Sequence, residues 1–133
     1  MYTPEIIQHL NENEVFVYGS NQYANHAGGA AKIAAEKFGA INGVAPTGLC
    51  GQSYGIITTS FNDVPVQLSH IITQIMALYS FAKLRPDLTF FVTKIGTGIA
   101  GFTIQQMADA FNVAADIKPN NIILPIEFSN LTN

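Results

Sequence analysis

Apolar and polar positions along the chain form two kinds of segment: short apolar runs, and longer stretches in which apolar residues recur with helical spacing. The short runs are bounded by turn residues, which is typical of strands buried on both faces, and they cover residues 15–18, 55–59, 89–95 and 121–126. The longer stretches predict helices, and they cover residues 4–10, 28–38, 66–84 and 103–115. Because helices and strands alternate, we predict an α/β fold with a short, mostly parallel sheet covered by helices on both faces.

Local sequence signals support these boundaries. Thr3 followed by Pro4 is a helix-start pair, because Thr can accept from free amides and Pro needs no amide at the first helical position. Thr103 is expected to cap the last helix. In the longest helical segment the apolar residues form one stripe that should face the sheet, whereas Gln74 falls outside it. Residues 39–55 show no period, and such a stretch in a small domain indicates a functional segment.

Composition narrows the class of protein. The chain has 133 residues, of which 48% are hydrophobic and 11% charged, so we exclude intrinsic disorder and expect one domain over residues 1–133. Its net charge of -3 and lack of a basic run argue against nucleic-acid binding, and no apolar stretch is long enough to cross a membrane. The single Cys50 has no disulfide partner and no secretory pattern is present, so we expect a cytoplasmic protein. Weak self-repulsion permits a homodimer.

Glycines concentrate where predicted strands end. Eight of the eleven lie within residues 19–55, and the others are Gly96, Gly98 and Gly101. Gly19 follows the first strand and Gly96 follows the third, so each cluster leads from a carboxyl end into the start of a helix. If these strands are neighbours, the two loops line one crevice, where closely approaching backbone amides favour an anion such as phosphate. Neither loop matches the nucleotide P-loop or the dinucleotide fingerprint.

Five motifs follow one another in the chain: an aromatic and Val strand running into Gly-Ser-Asn; His with Gly and Ala opening a helix; Phe-Gly-Ala; Gly-Leu-x-Gly-Gln-Ser-Tyr; and Val-Thr-basic-Ile-Gly-x-Gly-x-Ala-Gly-Phe. They cover residues 15–21, 26–32, 38–40, 48–54 and 92–102. Their order resembles a macro-domain-like fold, and most closely the small macro-like proteins of phages and bacteria. This resemblance implies a three-layer α/β/α domain whose sheet is ordered last, third, first and second predicted strand. Macro domains bind ADP-ribose and related nucleotides, and some remove ADP-ribose from an acceptor.

The resemblance also implies which residues bind the ligand. Asn21 matches the asparagine that contacts the distal ribose, Gly28 and Gly29 match the glycine-rich loop beside it, and residues 96–102 match the diphosphate loop. The polar segment 52–54 is suited to contact ribose hydroxyls. The expected ligand-binding residues are Gly19, Ser20, Asn21, Gly28, Gly29, Gln52, Ser53, Tyr54, Gly96, Thr97, Gly98, Ile99, Ala100, Gly101 and Phe102. No acidic motif for the adenine amino group precedes the first strand, so the resemblance does not predict a binding site for adenine.

Groups that could catalyse hydrolysis are scarce. Neither glycine loop contains Asp or Glu, and the nearest acid is Glu36 on the following helix. The candidate catalytic residues are Asn21 and His26, with helix capping as the simpler role for the histidine. Lys94 suits either phosphate attraction or a solvated strand end. Cys50 has no histidine at an activating spacing, and the three scattered histidines give no zinc pattern, so we expect no catalytic thiol and no metal.

Three functions follow from these observations. The first is a module that binds ADP-ribose or a related nucleotide without a cofactor, and the kinship to phage proteins suggests one that sequesters a nucleotide signal of host defence. The second is an enzyme of the same fold that removes ADP-ribose from an acceptor, with Asn21 and His26 orienting water. The third is a non-catalytic protein-interaction domain with vestigial loops. Turnover separates the first two, and ligand binding separates both from the third.

Overall fold

The computed structural model describes residues 1–25 and 28–129 and shows a mixed α/β fold. Its strands are β1 (Glu14–Asn21), β2 (Gly48–Cys50), β3 (Ser53–Thr59), β4 (Thr89–Val92) and β5 (Ile122–Ile123). Its helices are α1 (Gly29–Lys37), α2 (Leu68–Leu84), α3 (Ile104–Asn112) and α4 (Ile126–Ser129). Two short 3-10 turns lie at Phe61–Asp63 and Ala115–Ile117.

The five strands form one mostly parallel sheet in the order β2-β3-β1-β4-β5. β1 is parallel to both β3 and β4, and β5 is parallel to β4. This confirms the strand order expected for the four predicted strands. β2 was not predicted, and it adds a short antiparallel edge that pairs Gly48 with Gly55. Residues 39–55, which show no hydrophobic periodicity, therefore include part of a β-hairpin.

Both faces of β1 are buried, and each packs against different helices. Val15 and Val17 belong to a cluster with apolar residues of α2 and α3. Phe16 and Tyr18 belong to a second cluster with apolar residues of α1. Because successive side chains of a strand point to opposite faces, helices lie against both sides of the central strand. The small buried residues of α1 allow that helix to approach the sheet closely.

The chain connections open a crevice at one edge of the sheet. From β1 the chain passes through α1 to β3 on one side, and from β3 it passes through α2 to β4 on the other side of β1. In a parallel sheet, such a change of direction leaves room for a ligand at the carboxyl ends of the strands. The fold thus places the ends of β3, β1 and β4 side by side.

The helix predicted at residues 4–10 is absent, and the first ten residues form no regular element. The Thr3 amide donates to the carbonyl of Leu124 at 2.9 Å, and its hydroxyl donates to the carbonyl of Ile123 at 3.0 Å. The hydroxyl that was expected to cap a helix is thus engaged by the end of β5. These long-range bonds hold Thr3 beside the end of β5.

The other predicted helices are confirmed with small changes in their ends. The last one begins as expected, since the Thr103 side chain accepts from the Gln106 amide and Gln106 returns a bond to the Thr103 amide. The final strand is shorter than predicted, because the chain turns into α4 directly after Pro125. The position predicted for Gln74, outside the stripe of α2 that faces the sheet, is wrong. Gln74 is buried, and its side chain forms hydrogen bonds to the backbone of β3.

Candidate functional site

A cleft of about 430 Å³ opens at the carboxyl ends of β3, β1 and β4. It is lined by Gly19, Ser20, Asn21, Asn25, Gly28, Gly29, Ala30, Ala31, Thr58, Thr59, Asp63, Thr93, Lys94, Ile95, Gly96, Thr97, Gly98, Ile99 and Ala100. Both predicted glycine loops therefore meet in one cavity. Their meeting follows from the strand order, which makes β1 and β4 neighbours.

The loop after β4 closes on itself and leaves several amides unused. The Gly101 amide donates to the Gly98 carbonyl at 3.0 Å, and the Phe102 amide donates to the Gly96 carbonyl at 2.9 Å. Gly101 and Phe102 thus shape the loop without lining the cleft. In the part of the chain that the structure describes, the backbone amides at positions 98–100 donate to no carbonyl or side chain. Three consecutive free donors in a cavity are suited to an anion.

The start of α1 supplies a second group of donors. Gly28 is the N-cap residue, and no described side chain caps this end of the helix. The first amides of a helix lack partners inside the helix, and the helix dipole makes that end partly positive. Because Ala30 and Ala31 line the cleft as well, this partly positive end belongs to the same cavity as the loop after β4.

Two of the glycines that line the cleft are not required by the fold. Gly96 has a φ of +79°, and a Cβ there would lie 2.8 Å from the Met107 sulfur. Gly28, in contrast, has an extended φ of -155°, and Gly98 does not have the positive φ that favours glycine. Among the described residues, a Cβ at either position would meet no atom within 4 Å apart from those of its chain neighbours. Folding therefore gives no reason for glycine at these two positions, whereas close approach of a ligand to the backbone does.

Asn21 mainly organises its own loop. Its Oδ1 accepts from the amides of Tyr23 at 3.1 Å and Asn25 at 3.0 Å, and its Nδ2 donates to the Asn25 carbonyl at 3.0 Å. A side-chain amide has two acceptor sites and two donor protons, so one N–H remains for a ligand. Both acceptor sites of Oδ1 are already used by the amides of Tyr23 and Asn25.

The catalytic role expected for His26 falls outside the described residues. It therefore stays a prediction. The contribution of Asn21 that the structure supports is one hydrogen bond to a ligand, together with the shape of residues 21–25.

Gln52, Ser53 and Tyr54 do not line this cleft, so the structure does not bring them together with the two glycine loops, and their contact with ribose stays a prediction. Ser53 and Tyr54 begin β3 and Gln52 directly precedes it, and because β3 is parallel to β1 its beginning lies at the opposite edge of the sheet. Gln52 Nε2 donates to the Asn11 carbonyl at 2.7 Å, and Ser53 Oγ donates to the Phe38 carbonyl at 2.8 Å. Tyr54 is buried in the core, where desolvation raises the pKa of its hydroxyl.

Hydroxyl groups of β1 and β3 line the cleft, and the sequence analysis missed those of β3. Thr58 Oγ1 donates to the Ser20 carbonyl at 3.4 Å, and Ser20 Oγ donates to the Asn21 carbonyl at 3.1 Å. Thr59 is buried, and no described group pairs with its hydroxyl. The available signal was a pair of threonines at the carboxyl end of a strand that neighbours β1.

Two charged residues line the cleft, and their situations differ. The Lys94 ammonium lies 3.2 Å from a Glu5 carboxylate oxygen and 3.7 Å from one of Glu127. The hydrogen bond to Glu5 is the main reason that the pKa of Lys94 is raised. Asp63 is exposed, and it forms no ion pair or side-chain hydrogen bond with any described residue. The acid that the sequence analysis did not find near the loops is thus supplied by the turn after β3.

Within residues 1–25 and 28–129, no three His, Cys, Asp or Glu side chains are grouped so that they could hold a metal ion. Over the same residues, no helix has the length and apolar character that crossing a membrane requires. No family model matches the sequence, and no curated protein or solved structure matches it at the significance threshold.

Proposed function

We propose that this protein binds ADP-ribose or a related nucleotide in the cleft and that backbone amides of the two glycine loops hold its phosphates. The observation that carries the proposal is the pair Gly28 and Gly98. Both line the cleft, and neither needs to be glycine for the fold. A bulky anion that lies against the backbone explains both positions at once.

The donors available in the cleft fit a diphosphate better than a single small anion. Free amides at positions 98–100 lie on one loop, and the uncapped start of α1 lies on the other. The Lys94 ammonium is engaged by Glu5, so the cleft binds an anion chiefly through neutral donors. Hydroxyls on Ser20 and Thr59 add uncharged polar surface that suits a sugar.

The proposal includes a three-layer, macro-domain-like arrangement. The strand order and the packing of helices against both faces of β1 support it. A protein of this kind that binds without turnover would serve to sequester a nucleotide, as in the phage-type function that the sequence resemblance implies. Removal of ADP-ribose from an acceptor is the second candidate, and the Asp63 acid at the cleft is the observation that favours it.

Calorimetric titration with ADP-ribose, AMP and NAD tests binding, and chromatography of each incubated binder tests turnover. Gly98→Asp adds a negative charge among the free amides, and we expect it to weaken binding by roughly tenfold or more. The substitution has open space, so the thermal unfolding midpoint should stay unchanged. Asn120→Asp adds the same charge at an exposed turn away from the cleft and should bind like the wild type.

The outcomes separate the three functions. Binding without product supports sequestration, and release of free ADP-ribose from an ADP-ribosylated protein incubated in the same way supports the enzyme. Equal affinity of the wild type and Gly98→Asp would contradict the assignment of residues 96–100 to phosphate. Absence of heat with all three nucleotides would favour a protein-interaction domain.

A further inference from the structure

The turn that follows β3 carries Asp63 to the cleft. Asn62 and Asp63 both adopt left-handed backbone conformations, with φ of 56° and 59°. The Ser60 amide donates to the Val64 carbonyl at 2.7 Å and closes this turn. The chain thus uses two residues in an uncommon conformation to place an acidic residue beside the ends of β1 and β3.

The charge of Asp63 is not balanced inside the cleft. Among the described lining residues the other charged group is Lys94, whose ammonium is paired with Glu5 and Glu127. The donors suited to phosphate lie elsewhere in the cavity, at positions 98–100 and at the start of α1. The cleft therefore has a region that attracts anions and a separate position that carries a negative charge.

We infer that Asp63 determines which nucleotides the cleft accepts, by accepting hydrogen bonds from an uncharged part of the ligand and by repelling any phosphate placed there. This inference rests on the proposed function. A carboxylate has no proton to donate at neutral pH, so its favourable partners are hydroxyl and amino groups. A phosphate at the same place would meet a like charge, and such repulsion is an effective way to reject a competing ligand.

The chemistry of the accepted ligand follows. Its phosphates lie in the middle of the molecule, on the two glycine loops, and the end near Asp63 carries sugar hydroxyls or a ring amine. A nucleotide with a further phosphate at that end is rejected. Three probes cover both ends of the ligand: ADP-ribose, its 2′-phosphorylated form, and ATP, in which a third phosphate replaces the terminal ribose.

Binding of these probes to Asp63→Asn and Asp63→Lys tests the inference. Asparagine keeps an acceptor oxygen and removes the charge, and lysine reverses the charge. For the wild type we expect at least one phosphorylated probe to bind roughly tenfold more weakly than ADP-ribose. Asp63→Asn should reduce the ratio of the affinity for ADP-ribose to the affinity for that probe several-fold. Asp63→Lys should bring this ratio to one or reverse it. Asp116→Asn removes the same charge at an exposed position outside the cleft and should leave the ratio unchanged.

The failure of this inference is distinguishable from the failure of the proposed function. If the wild type binds ADP-ribose, Gly98→Asp weakens that binding, and both Asp63 variants keep the wild-type ratios, only the role of Asp63 is overturned. If the wild type binds none of the probes, the proposed function is overturned and the inference with it. If the ratios shift equally in Asp116→Asn, the effect belongs to net charge, and the specific role of Asp63 is again overturned.

Discussion

The side chain of Gln74 satisfies both backbone polar groups of Ile57. Its Oε1 accepts from the Ile57 amide at 2.7 Å, and its Nε2 donates to the Ile57 carbonyl at 2.8 Å. β2 pairs with β3 only as far as Gly55, so Ile57 lies beyond the end of the neighbouring strand. The side chain of Gln74 thus forms the two hydrogen bonds that a further residue of β2 would otherwise form with Ile57.

Gln74→Leu should destabilise the protein by about 1–3 kcal/mol, because it leaves a backbone donor and acceptor of β3 without partners. Chemical denaturation measures the change in the free energy of unfolding. Gln22→Leu is the matched control, since Gln22 is exposed and its substitution should cost well under about 1 kcal/mol. Equal effects of the two substitutions would contradict the contribution of the two bonds between Gln74 and Ile57.

Tyr79→Phe should lower stability by roughly 1 kcal/mol at neutral pH. The buried Tyr79 hydroxyl donates to the Phe111 carbonyl at 2.8 Å, near the C-terminal end of α3. Such a carbonyl has no partner within its own helix, and the variant leaves it without one. The exposed Tyr23 offers a control, and Tyr23→Phe should leave the unfolding free energy unchanged.

Stability should fall as the pH rises above about 10, the ordinary pKa of tyrosine. Burial raises the pKa of Tyr18 to about 12, and it raises the pKa of Tyr79 as well. Above pH 10 the unfolded chain loses these protons while the folded chain retains them, so ionisation favours unfolding. Tyr79→Phe should make the decline shallower by up to about 1.4 kcal/mol per pH unit. A decline as steep as that of the wild type would rule out Tyr79 as a contributor.

Two glycines of the same loop should respond differently to alanine. Gly96→Ala should cost about 1–3 kcal/mol, because its positive φ is strained for any side chain and the added carbon meets the Met107 sulfur. Gly98→Ala should change stability by less than about 0.5 kcal/mol, because its added carbon meets nothing within 4 Å. Thermal unfolding of the two variants measures the difference. Similar losses at both positions would mean that Gly98 has a folding role after all.

Lys94→Gln should lower stability by less than about 1 kcal/mol, because the ion pairs of Lys94 are substantially exposed. It should also speed proteolysis of the first residues, since the bond to Glu5 is lost. The pKa of Lys94 is raised, so its contribution is present below about pH 10 and disappears as the pH rises through the raised value. Lys83→Gln on the exposed surface of α2 is the control. Unchanged proteolysis would contradict the role of Lys94 as an anchor.

The parts of the fold that follow from local pattern could be predicted from the sequence. The three longer helices, the parallel strands and the glycine loops depend on apolar spacing and turn residues, and these signals lie within a few positions of one another. The parts that depend on distant partners could not. Thr3 was expected to cap a helix, and its partners are more than a hundred residues away in the chain.

The part of the candidate site that is marked by local sequence signals could also be predicted, whereas the part that depends on distant elements could not. Its glycines follow strands, and strand ends are visible in the sequence. Gln74 and Asp63 acquire their roles only when separate elements come together, one beside the edge of β3 and the other at the cleft. Residues 52–54 lie away from the two glycine loops, which could not be predicted, because a motif shows which residues occur together but not which edge of the sheet they occupy.

The bonds from Thr3 to Ile123 and Leu124 lie at the end of the two-residue strand β5, which is the last strand on its side of the sheet. An uncovered strand edge is a template on which another chain can add a strand, and growth of that kind leads to aggregation. A segment without regular structure blocks this template on one side of the sheet, and the Gln74 amide blocks part of the other. Thr3 and Gln74, which contact opposite sides of the sheet, take no part in lining the cleft.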